Sequence, residues 1–162
     1  ERFMEKIGHM RIDDRLIHGQ IVASWISVLG CTAIVVADDK AAGDPLQSML
    51  LEMAVPPGIQ LKVLRVEDAA AYLNSPAVHR PKLLVIVRNV CSALELVEHG
   101  VEVEEINVGN VSADPKKTKY AMSVWLDEMD IANFTRLRDK GIHLEVRVVP
   151  SDKGMNLFSL LK

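Results

Sequence analysis

The sequence predicts a single-domain α/β fold, an open, twisted, mostly parallel sheet with helices on both faces and a possible antiparallel edge strand. Two observations carry this expectation. Short apolar runs rich in β-branched residues recur along the chain, and stretches with apolar residues at helical spacing separate them. Regular alternation of this kind builds a layered sheet with right-handed crossovers. A length of 162 residues suits one domain with a full core, and no repeat, low-complexity tract or long linker divides it.

The elements follow in order. KIGHMRI (6–12) is the first candidate strand. From Ile17 onward Ile21, Trp25 and Val28 fall on one helical face, and Gly30 stands where a C-terminal cap belongs. TAIVVAD (32–38) and KLLVIVR (82–88) are nearly continuous in apolar residues, as strands buried on both faces are; QLKVLRV (60–66) and LEVRVV (144–149) join them. EEINVG (104–109) is weaker, and YAMSV (120–124) reads as a short further strand at an edge. Helices are expected over 44–54, 67–74 and 90–99, the first ending before PPG and the last before Gly100. Asp127 caps a helix carrying Ile131, Phe134 and Leu137 and closed by Gly141; a last helix covers 154–161.

Composition narrows the function. A formal net charge of −3 is unlike a general nucleic-acid binder, which wants a basic excess. No apolar run nears the roughly 18 residues that cross a membrane, and no signal peptide opens the chain. Cys31 and Cys91 lack metal-type spacing and read as reduced thiols of a cytoplasmic protein, Cys91 as a buried or half-buried one. Residues 1–3, ahead of Met4, read as a remnant foreign to a domain spanning 4–162.

The chemistry concentrates in RIDDRLIHGQ (11–20), two arginines, two acids and a histidine just ahead of a helix. In open parallel sheets ligands gather at the carboxyl ends of strands, which is where this loop falls. The decapeptide resembles the active-site stretch of the IIB components of the mannose/fructose/sorbose family of the bacterial sugar phosphotransferase system. VVADDKAAGD (35–44), VPPG (55–58), INVGN (106–110) and GIHLEVRVVPSD (141–152) sit in the order and spacing of that family, so the resemblance covers nearly the whole chain.

The resemblance implies a phosphoryl relay. A IIA component passes the group to His18, which passes it to a sugar entering through the membrane components IIC and IID. It implies a cytoplasmic phosphotransferase associated with that membrane complex, with no cofactor, no metal and no nucleic acid. The residue chemistry agrees. A neutral imidazole is nucleophilic near pH 7 and leaves well from phosphorus. Helix-start N–H groups and the Arg15 guanidinium can hold the dianionic group. Asp13 and Asp14 would repel that group if aimed at it; each can instead orient the imidazole, hold Arg15 or cap the helix. Arg11 reads as an end-of-strand ion pair.

Other residues carry two readings. Lys117 and Thr118, in DPKKTK (114–119), are a solvated turn, or they line the phosphoryl site as the family's Gly-Lys-Thr-like loop does. Here the chain departs from the family, with Lys116 and Asn110 where glycines are common. Arg11, Arg15, Lys116, Lys117 and Lys119 are expected to form a basic face around His18. Asp38 and Asp39 either frame the same cleft or cap a helix. His9, His79, His99 and His143 read as structural or solvated. Cys91, at another strand's carboxyl end, is the rival acceptor, but it lies far from the first strand. The alternative function class is a doubly wound small-molecule or nucleotide-binding module in which His18 is structural. Against it, the chain has neither a P-loop nor a GxGxxG after any strand.

Overall fold

The computed structural model describes residues 5–162, so the expected remnant at 1–3 lies outside the described residues. In chain order the elements are β1 (His9–Asp13), α1 (Gly19–Leu29), β2 (Ala33–Ala37), α2 (Asp39–Ala42), α3 (Pro45–Ala54), β3 (Gln60–Leu64) and α4 (Val66–Leu73). After a 3₁₀ turn (Arg80–Lys82) come β4 (Leu83–Val87), α5 (Val90–Glu98), β5 (Glu105–Asn110), β6 (Thr118–Ala121) and β7 (Val124–Leu126). The chain closes with α6 (Glu128–Asp139), β8 (His143–Val146), β9 (Met155–Asn156) and α7 (Leu157–Leu160).

One sheet takes the order β3-β2-β4-β1-β5-β8-β9. Its pairings are parallel except β8 with β9, which supplies the antiparallel edge. Successive strand residues point to opposite faces, and two apolar clusters divide accordingly. Ile34, Val36, Leu84 and Ile86 pack against Val22 and Ile26 of α1, Ala41 of α2 and Leu51 of α3. Met10, Ile12, Val85, Val87, Ile106 and Val108 pack against α4, α5 and α6. The chain therefore covers one face before it covers the other, and β1 lies centrally between β4 and β5.

The face under α1 turns polar at β1, β5 and β8. There His9, Arg11 and Asp13 alternate with Met10 and Ile12, and Arg11 is paired in register with Asn107 and Met10 with Ile106. Trp25 of α1 covers this patch. Its ring stacks on His9 with centroids 4.7 Å apart, and its indole N–H donates to the Val148 carbonyl at 3.0 Å. Burial pushes the His9 imidazole down to about 4; a bond to Asn107 opposes this, and Arg11 and Arg147 reinforce it.

Gly30 closes α1 as expected, left-handed at φ 67° with its N–H on the Ile26 carbonyl. Two elements differ from expectation. Residues 120–124 are not an edge strand of the main sheet; they straddle the turn of the β6–β7 hairpin, a separate two-stranded sheet. An apolar alternation cannot reveal that the chain reverses inside it. The final helix is confined to Leu157–Leu160, because Met155 and Asn156 are taken up by pairing with β8.

Candidate active site at the carboxyl edge of the sheet

The loop leaving β1 is shaped by two buried apolar anchors. Leu16 is 1% exposed and Ile17 8%, both packed into the α1-side core. To bury its side chain Leu16 takes φ 60°, a left-handed conformation uncommon for a residue with a Cβ, and its N–H donates to the Asp13 carbonyl at 2.9 Å. With 16 and 17 turned inward, His18 is left exposed at the N-cap of α1. Its carbonyl accepts from Val22 N–H at 3.0 Å, but its side chain makes no capping bond, and the first turn holds no acid. The opening N–H groups of α1 thus lack a side-chain cap and set positive potential beside an exposed imidazole.

The acids serve positions rather than the histidine. Asp13 is 1% exposed. Its Oδ1 accepts from Arg15 N at 2.9 Å and Arg15 Nε at 3.0 Å, and its Oδ2 from Arg15 Nη2 at 2.9 Å and Arg11 Nη2 at 3.1 Å. Its bonds hold the Arg15 guanidinium above its ordinary range, against a smaller opposing effect of burial. Arg15 keeps 35% of its side chain exposed. Asp14 faces β5 instead, accepting from Asn110 Nδ2 at 2.8 Å, Ser112 N at 2.7 Å and Ser112 Oγ at 2.9 Å. Asn110 is therefore a tie between the β5 end and the His18 loop.

Two further strand ends converge here. Arg88, after β4, forks onto Asp38, after β2, through Nε at 3.1 Å and Nη2 at 2.9 Å. Its Nη1 also reaches the Asp14 carbonyl at 3.4 Å. The bonds to Asp38 raise the Arg88 guanidinium, with burial opposing them. Asp38 meanwhile caps α2 by accepting from Ala41 N–H at 3.0 Å, while Asp39 accepts from Val66 N–H at 2.8 Å. The capping reading of Asp38 is therefore what the structure shows, alongside its pair with Arg88. Sequence reasoning missed Arg88, although an arginine ending the most apolar strand was its signal.

The other expected members sit apart. The 112–117 loop is tied to Asp14 at Ser112, but at its far end Lys117 pairs with Asp130 of α6 at 3.0 Å. Thr118 lines a cleft with Tyr120, Asp127 and Ile131. Among the described residues, no hydrogen bond or ion pair joins either side chain to the 13–18 loop. Arg11 is fully buried, so it contributes nothing to an exposed basic face. Cys91 is exposed rather than buried, because α5 turns Val90, Ala93 and Leu94 inward and leaves position 91 outside. Cys31 is the buried thiol, pushed up by burial. No helix among the described residues is long and apolar enough to cross a membrane.

Known proteins are similar to this chain over nearly its whole length. The family described as "PTS system sorbose subfamily IIB component" matches residues 7–162. The N-acetylgalactosamine-specific phosphotransferase enzyme IIB component 2 of Escherichia coli K12 is 36% identical over 158 residues, 98% of this chain and 100% of that protein. The mannose-specific EIIAB component of the same strain is 35% identical over 155 residues, 96% of this chain but 48% of that protein. The chain thus spans about half the length of the mannose-specific relatives it matches. The crystal structure of the IIBSor domain of the sorbose permease from Klebsiella pneumoniae superposes with a TM-score of 0.92 at 32% identity, covering 97% of this chain and 96% of that one. On fold and near whole-length similarity, this chain belongs to the sorbose subfamily of IIB components of the sugar phosphotransferase system.

Proposed function

We propose that this IIB component carries a phosphoryl group on His18, taking it from a IIA component and giving it to a sugar entering through membrane components IIC and IID. The observation that carries the reading is the exposed His18 imidazole at an uncapped helix start, with Arg15 fixed in the same loop. In the first step a ring nitrogen of neutral His18 attacks phosphorus. The bond from phosphorus to the donor's histidine nitrogen breaks, and the donor imidazole keeps the electron pair. In the second step a sugar hydroxyl oxygen bonds to phosphorus, its proton passes to water, and the phosphorus–nitrogen bond breaks with its electron pair returning to His18.

Each neighbour has a task that follows from its contacts. Of the five N–H donors of a guanidinium, Asp13 occupies Nε and one on Nη2. The Nη1 end of Arg15 is left to meet phosphoryl oxygens, whose charge spreads in the transition state. Asp13 holds Arg15, and Asp14 ties the loop to the β5 end. Lys117 and Thr118 take part only if Lys117 exchanges Asp130 for the phosphoryl group. The sugar is left open, since mannose-, fructose-, sorbose- and N-acetylgalactosamine-specific proteins are all similar to this chain.

The test is incubation with the relay proteins, a IIA component and labelled phosphoenolpyruvate. Acid-labile label on this chain supports the reading. A chain that stays unlabelled beside a fully charged IIA component favours the small-molecule-binding alternative.

A further inference from the structure

We propose that Arg11 is a positioning residue for the phosphoryl step, holding Asp13 from beneath so that Arg15 is fixed without being neutralised, in space that Gly109 leaves open. The inference rests on the reading of His18 and Arg15 above and extends it to two residues below the surface.

The starting point is a stoichiometry of charge. One carboxylate, Asp13, stands between two guanidiniums, Arg11 and Arg15. An Asp13–Arg15 pair alone would be neutral overall and would offer an incoming dianion a carboxylate as well as a cation. With Arg11 on the other side of the same carboxylate the three groups together keep one net positive charge, and Arg15 is the member that reaches the surface. A fully buried arginine is costly to desolvate unless it is paired and hydrogen-bonded. Arg11 spends its donors on Asp13 Oδ2 at 3.1 Å, Asn107 Oδ1 at 2.6 Å and the Arg147 carbonyl at 3.3 Å, while its Nε has no partner. The guanidinium is thus aimed at Asp13 and Asn107 even at the expense of one donor.

The second observation is steric. A Cβ built on Gly109 would stand 2.6 Å from Arg11 Nε and closer still to its Cζ and Nη2. Gly109 lies in β5, two residues beyond Asn107 on the same face. The Arg11 side chain lies flat across this strand, and only a glycine admits it. Alanine at 109 leaves every charge in place but displaces the guanidinium, which makes it a probe of Arg11 that leaves Arg11 itself intact.

The experiment compares the parent chain with Gly109→Ala, Arg11→Lys, Arg15→Lys and the Gly109→Ala/Arg15→Lys double variant, each checked for folding by circular dichroism. The first readout is solvent exchange of the Arg15 Nε–H by NMR, which needs no partner protein. Gly109→Ala and Arg11→Lys should speed it, because Asp13 no longer holds that donor in place. The second is single-turnover transfer from a charged IIA component. At saturating donor the rate should fall roughly ten- to a hundredfold with the donor KM unchanged, as expected of a misplaced group that still permits docking. Once Arg15 is lysine, Gly109→Ala should cost less than about twofold more, since coupled residues are not additive.

Parent-like exchange and transfer in a folded Gly109→Ala protein would overturn the proposal. A slowing that adds in full to that of Arg15→Lys would overturn it too, by making Arg11 a general structural residue. Should Gly109→Ala not fold, Arg11→Lys decides by the same readouts. A parent chain that accepts no label sinks the reading of His18 instead, and the Arg15 exchange then decides the Arg11 linkage alone.

Discussion

Asp13 binds Arg15 along one edge of its guanidinium, through Nε at 3.0 Å and Nη2 at 2.9 Å, and leaves Nη1 unengaged by the carboxylate. A planar fork held on one edge can meet phosphoryl oxygens with its other end, and a lysine at the same place cannot do both.

Arg15→Lys should therefore slow transfer from the charged IIA component without unfolding the chain. Losing a charge-assisted contact of about 1.5–3 kcal/mol corresponds to roughly one to two orders of magnitude in rate. Stopped-time assays of label on this chain measure it. A rate within about twofold of the parent would leave Arg15 a structural partner of Asp13 only.

Lys117 gives the opposite expectation. Its ammonium is paired with Asp130, which also closes a reciprocal capping box with Asp127 at the start of α6. Lys117→Ala should lower stability by less than about 1 kcal/mol, as partly exposed ion pairs do. Transfer should stay near the parent rate. A large loss of transfer with a parent-like thermal midpoint would instead place Lys117 at the phosphoryl group during the reaction.

Much of this was legible in the sequence, and the divide has a physical reason. Periodicity reports which face of an element is buried, so β2, β4 and the Gly30 cap could be read directly. The crowding of charge at one helix start drew attention to the decapeptide, and its resemblance to the family's active-site stretch is what singled out Asp13, Asp14, Arg15 and His18. What stayed hidden depends on pairs far apart in the chain. Arg88 with Asp38, Asp14 with Ser112 and Lys117 with Asp130 are set by which strand ends become neighbours. Strand order is not encoded in any local pattern. The fate of Arg11 belongs here as well. Its place in an alternating strand was visible, but the contacts that bury it come from β5 and the segment after β8.

His9 supplies a pH signature. Its folded value, lowered to about 4 chiefly by burial, lies below the ordinary 6.5. Between those values the unfolded chain binds the proton more readily than the folded one. Stability associated with neutral His9 is therefore present above about pH 6.5 and is lost as pH falls toward 4, by on the order of 3 kcal/mol across the window. Chemical denaturation of the parent and His9→Gln proteins at a series of pH values checks this. The variant should show a flatter decline between pH 6.5 and 4. Parallel curves would assign the acid sensitivity to other groups.

The most direct test concerns His18 itself. The parent chain and His18→Gln are incubated with a charged IIA component and digested under alkaline conditions, which preserve a phosphohistidine, and the peptides are mapped by mass spectrometry. The expected result is a single phosphorylated histidine at position 18 in the parent and no phosphoryl group on a normally folded His18→Gln chain. Phosphoryl transfer to the His18→Gln protein, whether onto exposed Cys91 or another histidine, would contradict the account.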